Sequence, residues 1–356
     1  MRIGILTFHF ADNYGAVLQA FALREYLIGC GYENVEIINY VSEHFENAYS
    51  INPFATKKFL GKIKKAIKFP IKAAQYKKFK RFRKDILSIN EKPQKYISYE
   101  KYDTIIVGSD QIWNFELTAE DENYFIPNEV GDLTILSYAA SANDTFVPYE
   151  KKEEIKQLLK RFKSISVRES QLSKLLEKEY FLNSTVVLDP VFLIKKEMWE
   201  NLCANVKKRK KNYIVLYLLK KNASLECAAK ELSKKMQFEI ITVHPTAGIV
   251  SKIGKHIFDV GPIEFVDLIQ GAQAIVSNSF HAFAFGCLFS KKVYFEYVDG
   301  SANRIKNIID LLNVECAYDE KLNVYHTHLD VYNTSKFIEL KNISENFLDT
   351  NIRGKR

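Results

Sequence analysis

The chain has 356 residues, with 51 Lys or Arg against 43 Asp or Glu and a formal charge of +8. Its length exceeds one ordinary core and suits two domains, and 47% apolar with 26% charged residues excludes a chain too polar to fold. Cys30, Cys203, Cys227, Cys287 and Cys316 form no C-x-x-C pair and no ligand spacing. That pattern argues against a disulfide framework or a metal site and points to the cytoplasm.

Ile3–Phe8 opens the chain as an apolar strand, too short for a signal peptide and followed at once by His9 and Asp12. Asn13, Tyr14 and Gly15 turn the chain into a helix over Ala16–Leu27, and Val35–Tyr40 is the next strand. This β-loop-α-β order opens a parallel sheet of the doubly wound kind. No long run of uncharged apolar residues follows anywhere, so no segment is expected to span a membrane.

Lys57 through Lys84 holds 13 Lys or Arg and no Asp or Glu, so the remainder of the chain carries −5. Within residues 57–87 the cations alternate with Leu60, Ile63, Ile67, Phe79 and Phe82, and Pro70 divides the run. Three readings stand together: a solvated helical excursion, a surface that lies on anionic lipid, and a patch for nucleic acid. The lipid surface is preferred over nucleic acid.

Asp103–Val107 is a buried strand opening into Gly108–Ser109–Asp110–Gln111–Ile112–Trp113–Asn114, and Leu133–Leu136 is another. A charged helix over Glu150–Phe162 leads to Ser164–Glu169, a strand that delivers Arg168. A helix over Ser170–Glu177 and a strand closed by Pro190 follow. The basic run Lys207–Lys211 marks a boundary, giving an N-terminal domain over 1–205 and a C-terminal domain over 206–334. The second domain repeats the alternation through strands at Tyr213–Leu219, Glu239–Val243, Ala274–Ser277 and Val293–Phe295. Residues 335–356 read as a helix packing back on the N-terminal domain. A cleft is expected between the two domains.

In the second domain, Ser277–Asn278–Ser279–Phe280–His281–Ala282 is a strand end that breaks into a helix, with one histidine at its mouth. Exposed amides and the positive end of a helix dipole favour an anion there.

This segment, Gly4–Ile5–Leu6–Thr7–Phe8–His9 with Asn13–Tyr14–Gly15–Ala16–Val17–Leu18–Gln19–Ala20, and Gly108–Asn114 together resemble the polysaccharide pyruvyl transferase family. Val167–Arg168–Glu169 and Leu188–Asp189–Pro190 fall between them in the expected order. The resemblance covers roughly residues 1–315 and implies an α/β fold of the GT-B type, two Rossmann-like domains facing a cleft. It implies transfer of pyruvate from phosphoenolpyruvate, as a ketal, to two hydroxyls of a sugar in a bacterial surface polysaccharide. No metal and no organic cofactor are implied; phosphoenolpyruvate is a co-substrate.

By that match His281 is the general acid, because protonating the methylene of phosphoenolpyruvate needs a group that titrates near neutrality. Arg168 is the expected anion clamp, since a guanidinium suits both phosphate and carboxylate. Members of the family often carry arginine where this chain has Ser279. Ser277, Ser279 and Arg304 are therefore the further donor-binding candidates, and Asn13, Tyr14, Gly15 and Asp110 the acceptor-binding ones. The expected partners are phosphoenolpyruvate, a sugar of a lipid-linked or growing glycan, and an anionic inner-membrane face reached through residues 57–87; nucleic acid is not expected. The rivals are a GT-B glycosyltransferase with a nucleotide-sugar donor, and a non-catalytic nucleic-acid or membrane binding protein acting through Lys57–Lys84.

Overall fold

Short runs of Ile, Val and Leu without alternating polar residues bury both faces, which suits strands inside parallel sheets rather than a solvated sheet. A computed structural model describes residues 1–49, 73–128, 130–143, 146–207, 209, 212–245, 248–297 and 302–353. It forms these runs into β1 (Arg2–Leu6), β2 (Asn34–Ile37), β3 (Thr104–Val107), β4 (Thr134–Ser137), β5 (Ser166–Val167) and β6 (Thr185–Val186). β7 (Tyr213–Tyr217), β8 (Glu239–Val243), β9 (Lys255–Ile257), β10 (Ala274–Ser277), β11 (Lys292–Phe295), β12 (Ala317–Asp319) and β13 (Val324–His328) follow.

The chain divides into two α/β units, each built on a largely parallel sheet. The first takes in Met1–Ser50, Arg83–Ile194 and Glu339–Arg356, and the second contains 73–82 and Lys195–Ile338. The boundary therefore falls at 194/195 rather than 205/206. The helix Lys196–Leu202 belongs with the second unit because buried Trp199 packs edge-on against Phe285 at 4.8 Å.

The basic excursion is also divided differently from expectation. Lys57–Lys72 lies outside the described residues. Residues 73–82 join the second unit, not the first: Lys78 Nζ pairs with Glu264 at 2.7 Å and Gln75 Nε2 donates to the His244 carbonyl at 3.3 Å. From Arg83 onward the chain belongs to the first unit, where Arg83 Nη1 meets Asp12 Oδ1 at 2.8 Å.

In the first unit the sheet order is β2-β1-β3-β4, all parallel, and β5 pairs with β6. Bridges Leu136–Ser164 and Ala140–Val167 carry the β4 edge on to β5. The chain starts at β1, runs outward to β2, then reverses through β3, so the switch in winding falls between β1 and β3. The end of the helix Ser335–Arg353 lies on this unit: Phe347, Leu348 and Ile352 join a core containing Ile3, Ile5 and Val35. Ser344 Oγ accepts from the Leu188 amide at 2.9 Å.

In the second unit the order is β12-β13-β11-β10-β7-β8-β9. The five strands β11-β10-β7-β8-β9 are parallel, while β13 runs antiparallel to both β11 and β12. Here the winding runs outward through β7, β8 and β9 and reverses at β10, placing the switch between β7 and β10. In open α/β sheets the crevice outside the carboxyl ends at such a switch is where ligands bind. No helix among the described residues is long and apolar enough to cross a membrane.

Candidate active site

At the switch of the second unit, β10 ends on Ser277 and the helix Phe280–Leu288 begins three residues later. The intervening turn is stitched to β7. Ser277 Oγ donates to the Tyr217 carbonyl at 2.5 Å and accepts from the Ser279 amide at 3.1 Å. Asn278 Oδ1 accepts from the Leu219 amide at 2.8 Å while its Nδ2 donates to the Lys220 carbonyl at 2.9 Å. Ser279 is the N-cap, taking the Ala282 amide on Oγ at 3.5 Å and the Phe283 amide on its carbonyl at 3.0 Å.

These bonds fix where the helix starts, and His281 is its second residue, 7% exposed with its ring edge-on to Phe280 at 5.1 Å. Gly286 lets this helix lie close on the sheet, since a Cβ there would come within 2.4 Å of Val293 Cγ2. Arg304, half-buried, stands on the helix Ala302–Leu312, which borders the His281 helix. The structure thus groups Ser277, Ser279 and His281 on one turn, but engages both serine hydroxyls in building that turn.

Two strands away, His244 follows β8 and its Nε2 lies 2.8 Å from Nδ1 of His256 on β9. Burial, then the neighbouring His256, pushes His244 down to about 4. Nothing in the sequence marked this pair, because its partners lie 12 residues apart on different strands.

At the switch of the first unit, the ends of β1 and β3 are joined by Thr7 Oγ1, which donates to the Ser109 carbonyl at 3.0 Å and accepts from Gln19 Nε2 at 2.8 Å. All three residues are fully buried. His9 follows β1, its ring nitrogens 3.1 Å from the Thr7 carbonyl and 3.0 Å from Asn39 Oδ1. Burial pushes His9 down to about 4, although bonds to Asn39 and Thr7 partly oppose it.

Asn13 caps the helix Tyr14–Gly29, its Oδ1 accepting from Gly15 at 2.9 Å and Ala16 at 3.4 Å. Tyr14 and Gly15 are buried in the first turn. Beyond β3, Gly108 takes φ 121°, where a Cβ would lie 2.3 Å from the Tyr138 carbonyl oxygen, and Asp110 takes φ 74°. That loop is held by Ser109 Oγ donating to Ala139 and by the Ser141 amide donating to the Asp110 carbonyl.

The Arg168 side chain is 3% exposed; Nε meets Glu169 Oε1 at 2.9 Å and Nη1 meets Asp189 Oδ2 at 2.7 Å. Asp110 Oδ1 stands 3.9 Å from Nη2. Burial alone would lower its pKa, but Glu169, Asp189 and Asp110 outweigh that and hold it above the ordinary arginine value. Ser141 Oγ also donates to Glu169 Oε1 at 2.9 Å. Nε and Nη1 of the guanidinium are thus engaged by internal carboxylates. Glu169 and Asp189 lie within the two motif segments Val167–Glu169 and Leu188–Pro190, but their shared cation emerges only when β5 and β6 pair.

The fold and these strand-end sites define an α/β protein with polar, histidine-bearing sites at the carboxyl ends of two parallel sheets. A family model described as polysaccharide pyruvyl transferase matches residues 13–300, and the chain belongs to that family of transferases acting on sugars. No curated protein matches the chain in sequence.

Among solved structures, UDP-GlcNAc 2-epimerase from Methanocaldococcus jannaschii is similar at 14% identity and TM-score 0.45, over 86% of this chain and 92% of that one. UDP-N-acetylglucosamine 2-epimerase from Rickettsia bellii gives 10% identity and TM-score 0.45 over 99% of this chain and 96% of that one. A putative UDP-N-acetylglucosamine 2-epimerase from Listeria monocytogenes gives 10% and 0.47 over 100% and 97%.

Proposed function

We propose that the protein transfers pyruvate from phosphoenolpyruvate to two hydroxyls of a sugar as a ketal, in the synthesis of a bacterial surface polysaccharide. The observation that carries this reading is His281, set in the first turn of a helix at the switch point of the second unit. The positive end of that helix suits the phosphate or carboxylate of the donor. Arg304, on the bordering helix, is the cation that would complete donor binding in place of the arginine absent at Ser279. Ser277 and Ser279 act through the turn they build.

In this reading His281 gives its proton to the methylene carbon, leaving an electron-deficient C2 that still bears phosphate. The first sugar hydroxyl bonds to C2, the C–O bond to phosphate breaks, and the second hydroxyl closes the ketal. Of the two hydroxyl protons, one restores His281 and the other leaves on phosphate. In the first unit, Asn13, Tyr14 and Gly15 shape the turn after β1 and Asp110 presents a carboxylate after β3, groups suited to hydrogen-bonding sugar hydroxyls. Arg168, through Glu169, Asp189 and Asp110, is a positioning residue. The cations of the basic segment Lys57–Lys84 other than Lys78 and Arg83, which pair within the protein, would hold the enzyme near a lipid-linked acceptor at the membrane face.

Purified protein given phosphoenolpyruvate and a panel of galactosides and N-acetylhexosaminides is expected to release phosphate and form a ketal detectable by NMR. Stabilisation by nucleoside diphosphates with no ketal on any acceptor would overturn the reading in favour of a nucleotide-sugar donor.

A further inference from the structure

The strands β11, β13 and β12 carry a row of aromatic rings that the proposed chemistry leaves without a task. Phe295, Tyr325 and Tyr318 stand directly opposite one another across the three strands. Ring centroids are 6.0 Å apart for Phe295–Tyr325 and 5.0 Å for Tyr325–Tyr318, with Tyr297 added at 4.7 Å from Tyr325. The row starts in the core, where Phe295 is fully buried against Phe283 of the His281 helix at 5.2 Å. It ends in solvent: Tyr297 is 38% and Tyr318 49% exposed.

Register fixes where the row begins. Val276 on β10 stands opposite Tyr294 on β11, so Phe295 lies level with Ser277, at the same carboxyl end as the His281 turn. From β10, Tyr325 is two strands away and Tyr318 three, or about 10 and about 14 Å at ordinary strand spacing. A tyrosine face is apolar while its rim carries a hydroxyl, the same division that a sugar ring presents between its C–H face and its hydroxyls. Tyr318 is also held in place: its hydroxyl donates to Asn323 Oδ1, whose Nδ2 donates to Ser224 Oγ at 3.2 Å. Rings fixed before binding lose little freedom when a ligand arrives.

We infer that Tyr297, Tyr325 and Tyr318 form a stacking platform for successive sugar units of a neutral glycan, extending outward from the His281 site. The inference rests on the family's sugar substrate and on the platform's continuity with that site. A second copy of the chain suits it less, because the outer strand β12 has three residues and offers few backbone groups for strand addition.

The test is calorimetric titration of the full chain with gluco-, galacto- and N-acetylglucosamine oligosaccharides from monomer to hexamer. Affinity is expected to rise with length for at least one series. Tyr318→Ala and Tyr297→Ala should each weaken binding of the longer members about fivefold or more, whereas Tyr318→Phe, which keeps the ring, should not. Binding that ignores length, no binding by any series, or alanine variants that bind like the parent would overturn the platform. Loss of a dimer in Tyr318→Ala with glycan binding unchanged would assign the row to a second copy instead. A protein that binds glycans by length yet makes no ketal would sink the proposed reaction and leave the platform standing; the converse result would do the opposite.

Discussion

The two units place polar residues at the same point of their topology, yet they treat charge in opposite ways. After β3 and β5 of the first unit, one guanidinium is surrounded by Glu169, Asp189 and Asp110. The turn after β10 is built from Ser277, Asn278 and Ser279, neutral groups bonded to the end of β7 and to each other. A buried ionic network fixes geometry at high desolvation cost and punishes the loss of one member. Neutral hydrogen bonds set the start of a helix while leaving its dipole to act on an incoming anion. The first arrangement suits shaping a pocket and the second suits chemistry on a charged donor.

The contrast is broken most directly at His281. His281→Ala is expected to lower turnover by about 10²–10⁴-fold with an unchanged thermal melt; an equal loss of folded protein would make the ring a core residue. Arg168→Met should do the reverse, costing about 3–5 kcal/mol of stability by stranding Glu169 and Asp189, as read by denaturant unfolding. A variant of ordinary stability that fails only in phosphoenolpyruvate binding would restore the anion-clamp role.

Acid provides a third probe of the first unit. The unfolded His9 ring takes a proton near 6.5, whereas the folded ring resists until about 4. Stability from this group is therefore complete above 6.5 and falls as pH drops toward 4, by on the order of 3 kcal/mol. The drop in melting temperature between about pH 7.5 and about pH 5 should shrink in His9→Phe; an unaltered drop would place the acid sensitivity elsewhere.

Smaller effects sharpen the second unit. Arg304→Ala should raise KM for phosphoenolpyruvate about tenfold, near 1.4 kcal/mol, with little change in stability. Ser279→Ala removes an N-cap and should cost about 1 kcal/mol, with the melt and the turnover shifting together because the cap sets the position of His281.

Much of the alternation of strands and helices was legible because apolar runs bounded by glycine, asparagine and serine have local causes. Ala274–Ser277 and Glu239–Val243 fall on the same residues in sequence and structure. The antiparallel pair β12–β13 was not legible: its strands are short and mixed in composition, and only pairing with β11 gives them a face. Residues 73–82 were assigned to the wrong unit for a similar reason, since a basic helix does not announce that its lysine will meet Glu264, far away in sequence.

The sequence by itself determined the family, the two parallel-sheet units and the place of His281 in the first turn of a helix, since each depends on local pattern and on contiguous motifs. Tertiary structure decided what the charges do. Arg168 looked like an open cation because its neighbour Glu169 is adjacent but Asp189 is 21 residues away and Asp110 further still. Only strand pairing brings three carboxylates onto one guanidinium, and only burial makes that arrangement costly to disturb.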